Sequence, residues 1–303
     1  MRAISGAIHH SISTISDELK RNSVKGAYHP RKAHHKAYVR RKYARYQGMK
    51  VVNHNKLRTF VEDYLEDDQS PRAIAGRIKR HEKYLPRVSK NSIYRFLKSP
   101  YGISIDFFRQ ERWRRTKRGR RASSEKLKDR VFIDKRPAII NTRSRVGDVE
   151  ADFIISGKGG RGMLLVVEDR KLRVTFIAII FKVTIKNIHR AFARIKRRFP
   201  EMKTISTDND ILLKYHQKLA KLLGVRIYFC HPYHSWEKGS VENTNGVIRR
   251  SIPKGSDLSQ YSPYFIRKLE QKLNRRIMEC INYLIPREAL ERYRKNKKRR
   301  NGV

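Results

Sequence analysis

The sequence predicts a multidomain protein, with basic all-α units over the first hundred residues, an α/β domain with a mixed sheet after residue 146, and a helical C-terminal tail. Two observations lead there. Apolar residues recur at helical intervals in the first hundred residues, then give way after Asp148 to β-rich runs separated by short connections. The second observation is charge: 72 Lys and Arg against 28 Asp and Glu give +44 over 303 residues, a field that informs about partners rather than fold. Residues 1–100 carry +15, 101–145 carry +10, 146–256 carry +11 and 257–303 carry +8, so the charge is not confined to a tail. Nucleic acid is the partner such a distribution implies.

Taken in order, Ile4, Ile8, Ile12, Ile15 and Leu19 fall at helical spacing, with Ser11 or Ser13 placed to cap the second part, so two short helices are expected. Residues 25–58, rich in Lys, Arg, His and Tyr, read as a basic helix or arm. A second helical pair follows. Ser70 caps PRAIAGRIKRH, with Pro71 at its first position and Ile74 and Ile78 inward. After Pro86, Ser89 caps KNSIYRFLK, whose Ile93, Phe96 and Leu97 point inward. Lys90, Asn91, Ser92, Tyr94, Arg95 and Lys98 then face outward, and these are the residue types that a recognition helix presents to a DNA groove and its phosphates. Residues 109–130, with Trp113 as their one aromatic, read as a basic linker. The expected units are therefore 1–58, 59–108, the linker 109–145, an α/β core 146–256 and a helical basic segment 257–303.

Within the core, GDVEADFII, MLLVVED and RVTFIAIIF form an antiparallel meander, and a helix over 184–198 follows. KTISTDN is a strand ending in Asp208, DILLKYHQKLAKLLG a helix closed by Gly224, and VRIYFC a last strand before the helix that carries Glu242. The order βββαβαβα is that of a ribonuclease-H-like, integrase-type core: a mixed five-stranded sheet flanked by helices. Asp152 and Asp208 fall on its first and fourth strands, and Glu242 on the late helix. Carboxylates from three separate elements suit phosphodiester chemistry, in which two divalent cations stabilise the attacking and leaving oxygens. Mg²⁺ binds through few carboxylates plus water and substrate phosphate, so three acids suffice for a pair of ions, with Mn²⁺ as substitute. Glu150, two residues before Asp152 and on the same strand face, is the strongest rival ligand; Glu168, Asp169 and Glu237 lie nearby. Glu242, Asn245 and Arg249 share one helix face, directing Arg249 at DNA, and Trp236 precedes this helix as a candidate base wedge.

The stretches RVFIDKRPAIINTRSRVGDVEADFI, TISTDND and YFCHPYHSWEKGSVENTNGVIRRSIPKGSDLS resemble the IS-thirty family of bacterial insertion-sequence transposases. The likeness extends to SISTISDELKRN, SPRAIAGRIKRH with VSKNSIYRFL, and LNRR with YLIPREAL, nearly the whole chain. It implies two helix-turn-helix units, the first lacking its opening helix, and a catalytic core with Asp152, Asp208 and Glu242 as metal ligands. It further implies cleavage at terminal inverted repeats of double-stranded DNA, strand transfer, and a homodimer or larger assembly. The chain departs from the family pattern at Glu150 and Asp210, acids beside the expected ligands, and at LNRRI; a decayed copy acting as a DNA-binding regulator is the alternative. No apolar run is long enough to span a bilayer. Two cysteines provide no disulfide framework, and the histidine pairs lack zinc-ligand spacing. A soluble, cytoplasmic, nucleoid-associated protein is expected.

Overall fold

The structure, a computed structural model, describes residues 1–46, 49–112, 129–231, 234–300 and 302, with side chains excluded at 42–46, 111–112 and 235–236. Three helices open the chain: α1 (Arg2–Ile8), α2 (Ile12–Asn22) and α3 (Pro30–Tyr46), the last being the basic helix. Ser11 caps α2, its hydroxyl accepting from the Thr14 amide at 3.2 Å. Of the apolar stripe, Ile15 is buried while Ile4, Ile8 and Ile12 stay exposed.

A compact helical unit follows, made of α4 (Asn55–Glu66), α5 (Pro71–Arg80), α6 (Lys90–Leu97) and α7 (Ile103–Arg112). Leu57, Val61 and Leu65 of α4 meet Ile74 and Ile78 of α5 and Ile93, Phe96 and Leu97 of α6 in one core, each such side chain contributing about 1.5–3 kcal/mol. Ser70 and Ser89 are the caps, accepting from the amides of Ala73 at 3.1 Å and Ser92 at 3.2 Å. Helices α4 and α7 enlarge the expected pair. Arg109, assigned from sequence to the start of a linker, is buried and donates to the carbonyls of Leu65 and Gln69, both at 2.8 Å. Its charge thus satisfies the C-terminal end of α4 instead of tracking phosphates. Residues 113–128 of the expected linker, Trp113 among them, lie outside the described residues.

A short helix α8 (Ala138–Asn141) leads into the sheet: β1 (Asp148–Ile155), β2 (Met163–Asp169), β3 (Thr175–Ile180), β4 (Thr204–Thr207) and β5 (Arg226–Phe229). Their order across the sheet is β3-β2-β1-β4-β5. The first three strands pair antiparallel, whereas β4 runs parallel to both β1 and β5. Parallel neighbours need crossovers, and α9 (Ile185–Arg198) and α10 (His216–Leu223) supply them. Both helices pack on one sheet face, through Ile188, Phe192, Ile195 and Leu219 against Val149, Ala151, Phe153 and Leu165. The opposite face, with Ile154, Leu164, Val166 and Ile177, receives α11 (Gly239–Ser251) and α12 (Pro263–Asn274). Period-two alternation along β1 therefore sends Glu150, Asp152 and Ile154 toward α11.

The tail is helical as expected, ending in α13 (Pro286–Arg300). What sequence did not suggest is that residues 275–288 bind the helical unit. Ile277 enters the core of α4 to α7. Arg77 of α5 donates to both oxygens of Glu288, at 2.5 and 2.7 Å, and to Glu82 at 2.7 Å. The Tyr283 ring lies against Gly76, where an added Cβ would come within 2.0 Å of it.

Gly147 sets the entry to the sheet. Its φ of +101° is a region that side-chain-bearing residues avoid, and a Cβ there would sit 1.9 Å from the Glu201 carbonyl oxygen. The same residue accepts from Lys203 N at 2.7 Å and Thr204 N at 3.2 Å, fixing β1 against β4. Gly147→Ala is expected to lower stability by about 2–4 kcal/mol from strain plus overlap; an unchanged urea midpoint would remove Gly147 from this role.

Candidate active site

The β1–β4 register brings two of the three predicted acids together. Asp148 pairs with Thr204, Val149 with Ile205 and Glu150 with Ser206; continued two residues, this sets Asp208 beside Asp152 at the end of the neighbouring strand. Strand neighbours are roughly 4.8 Å apart, so both carboxylates reach one small volume. Asp208 lies just beyond β4, and its surroundings are tied down. The Asn209 amide donates to the Cys230 carbonyl at 2.6 Å, and Asp210 caps a following 3₁₀ turn by accepting from Leu212 N at 3.0 Å.

One cation joins the pair. The Lys238 ammonium lies 3.1 Å from Asp152 Oδ1 and 2.8 Å from Asp208 Oδ2, with its side chain only 1% exposed. The other Asp152 oxygen accepts from Asn245 Nδ2 at 2.6 Å. Sequence reasoning passed over Lys238, although a lysine four residues before Glu242 at the head of a helix was there to be read. Glu242 sits in the first turn of α11. Burial pushes its carboxyl above the ordinary value; Lys238 pulls it down, and Asp152 and Asp208 push it up. All four charges therefore act on one region.

The rival acids are engaged elsewhere. Glu150 is fully buried, and its Oε2 accepts from the amides of Ser240 and Val241, both at 3.1 Å, at the start of α11. Arg170 Nη1 stands 3.4 Å from its other oxygen, an ion pair without hydrogen-bond geometry. The strand-face argument that made Glu150 a rival ligand is right about its direction, but its carboxylate caps a helix. Asp169 accepts from the amides of Gly147, Lys171 and Leu172 at 2.8, 3.1 and 2.6 Å. Glu237 bonds His231 Nδ1 at 3.0 Å, while His231 Nε2 meets Asp134 at 2.7 Å. His234 Nδ1 lies 3.4 Å from the same Glu237 oxygen, so two histidines that the sequence did not single out converge with an acid. With carboxylates at both ring nitrogens, the His231 pKa is raised, first by its Glu237 hydrogen bond.

The other predicted residues are not gathered with the acids by any described contact. Arg249 reaches forward along its helix to the Pro253 carbonyl at 3.3 Å. The Trp236 side chain lies outside the described residues. On α6, Lys90, Asn91, Tyr94, Arg95 and Lys98 are exposed, while Ser92 is half-buried, its hydroxyl 3.1 Å from that of Ser89.

The sheet order, the mixed strand directions and the helices on both faces define a ribonuclease-H-like core, preceded by helical units. The chain is 35% identical over 297 residues to the transposase of insertion sequence element IS4351 from Bacteroides fragilis, covering 96% of this chain and 89% of that one. It is 30% identical to the transposase of IS1086 from Cupriavidus metallidurans, over 96% and 88% of the two chains. With the InsI transposase of IS30A from Escherichia coli K12 it shares 29% identity, over 96% and 79%. It belongs to the IS30 family of insertion-sequence transposases, enzymes of DNA cleavage and strand transfer. No protein-family model matches the chain. Among solved structures, the catalytic core of BIV integrase superposes with a TM-score of 0.38 at 16% identity, covering 50% of this chain and 98% of that one. Among the described residues, no helix is long and apolar enough to cross a membrane.

Beneath the site, burial dominates the electrostatics of Glu168. Its carboxylate faces Thr244 Oγ1 and Arg173, yet loss of water raises its pKa from 4.5 to about 7. The folded state therefore holds a proton that the unfolded chain releases, and stability falls as pH rises from about 4.5 to about 7. Glu168→Gln keeps an acceptor for Thr244 and is expected to flatten this slope. Urea denaturation across that range checks it; equal slopes in the two proteins would sink the assignment.

Proposed function

We propose that this transposase cuts the ends of its insertion sequence and joins them to target DNA at Asp152, Asp208 and Glu242. The observation that carries the reading is the parallel register of β1 and β4, which aims two carboxylates from distant segments at one cation. Three features fit divalent metal there: a donor set of hard oxygens, an ammonium already standing between two of them, and the buried Asn245 Oδ1, without a hydrogen-bond partner among the described residues. Mg²⁺, or Mn²⁺ in its place, would supply charge stabilisation for the attacking and leaving oxygens of the phosphodiester.

The chain's own residues set the geometry. Asn245 orients the Asp152 carboxylate through Oδ2. Glu150, bound to the first amides of α11, fixes the helix that presents Glu242. Asp210, beside Asp208, has its pKa raised, chiefly by burial, then by the charges of Asp152 and Asp208. Water attack at an element end frees a 3′-hydroxyl, which attacks a target phosphodiester in line, so no covalent bond to the protein is needed. The exposed side chains Lys90, Asn91, Tyr94, Arg95 and Lys98 of α6, with Ser92, read the terminal repeats, and the remaining basic surface holds phosphates. Two ends are handled together, which calls for a homodimer or larger assembly.

The test is metal-dependent cleavage and strand transfer on an oligonucleotide carrying the element's terminal repeat. Asp208→Asn is expected to reduce product by at least about a thousandfold, a loss of about 4 kcal/mol in transition-state stabilisation, while end binding changes little. Equal rates would remove Asp208 from catalysis. Arg95→Ala, by contrast, is expected to weaken binding to the specific end by about 1–3 kcal/mol, as measured against random duplex at fixed salt; undiminished discrimination would take Arg95 out of end recognition.

A further inference from the structure

Among the described residues, Lys238 is the one fully buried lysine, and both its carboxylate partners are proposed metal ligands. A buried charge requires partners, and it has them in Asp152 Oδ1 at 3.1 Å and Asp208 Oδ2 at 2.8 Å. A divalent ion held by the same two oxygens would need the approach that the ammonium now occupies, since Mg²⁺ binds carboxylate oxygens at about 2.0–2.1 Å. The ammonium lies within hydrogen-bonding distance of both, so the two cations exclude each other. The backbone that carries Lys238 is held independently, since Glu150 clamps the Ser240 and Val241 amides just after it. The lysine stem, four carbons with rotatable bonds, is the part that would have to move.

We infer that Lys238 is an exchangeable counter-cation: it offsets part of the charge of Asp152 and Asp208 before metal loading, competes with the metal for them, and is expelled when metal binds. This rests on the proposed metal-dependent site. It assigns Lys238 as a positioning residue that keeps two converging carboxylates in place without metal, at the expense of metal affinity. A residue that merely supported the site would have the opposite effect, because its loss would weaken metal binding.

The full chain, without DNA, is titrated with Mn²⁺ alone, by calorimetry and by electron paramagnetic resonance of the free ion. Lys238→Gln is expected to bind Mn²⁺ about tenfold tighter than wild type, within the usual range of coupling between competing sites, and Lys238→Arg to stay near wild type. Equal or weaker binding by Lys238→Gln overturns the inference while leaving the metal site standing. Absence of Mn²⁺ binding to wild type and to both variants overturns the metal site and the inference together. Should Lys238→Gln fail to fold, the wild type provides its own measurement. Amine acetylation followed by mass spectrometry is expected to find Lys238 protected without Mn²⁺ and modified at saturating Mn²⁺. Protection unchanged by bound Mn²⁺ overturns the exchange.

Discussion

Parallel pairing of β1 with β4 is the constraint on which the rest depends. A strand shifted by one residue presents its other face, and here such a slip would exchange Asp152 for Phe153, which belongs to the core under α9. The register is fastened at its origin. Lys203 N and Thr204 N converge on the Gly147 carbonyl, and Thr204 Oγ1 donates to the buried Asp148 at 2.7 Å, while Arg145 meets both oxygens of Asp148 at 3.1 and 2.7 Å. The position of Asp208 beside Asp152 is thus decided four residues away, by contacts that take no part in chemistry.

The acids of this basic chain fall into two groups around the sheet. Asp148, Glu150, Glu168 and Asp169 are buried and engaged by a loop arginine, a helix start, a threonine and a turn of amides respectively. Asp152 and Asp208 keep part of their surface open, at 23% and 45% of the side chain. Low dielectric makes an unpaired buried carboxylate costly, so the first group serves as fastening. The second group converges where only a cation relieves its repulsion. Glu150 links the groups, because the helix it caps carries Glu242 and Asn245 into place, with Lys238 at its N-cap.

The helical unit is joined to the core by residues 275–288, which run from the end of α12 into the first turn of α13. Gln69 Oε1 accepts from Ile277 N at 3.0 Å, and Arg77 lies buried between Glu82 and Glu288. These contacts hold α5 through its inner side, leaving the outward side chains of α6 exposed. The exposed face of α6 and the carboxylate cluster are in this way carried on one connected body, each built from a different part of the sequence.

Much of this was legible in the chain itself wherever the cause is local. Serine caps at Ser70 and Ser89, the apolar spacing of Ile93, Phe96 and Leu97, the β-rich runs, and Gly224 closing α10 in a left-handed conformation all follow from neighbours within one turn or one strand. The placement of Asp152 and Asp208 on neighbouring strands and of Glu242 at the start of α11 also follows the expected order of elements. Tertiary structure alone decided that Glu150 caps a helix while Asp152, two residues on, faces a shared cation, since both have the same strand-face signature. It alone turned Arg109 inward, set Tyr283 against Gly76 and brought Lys238 between Asp152 and Asp208. In each case the partner lies tens to hundreds of residues away, and periodicity carries no record of a contact made only when distant elements pack.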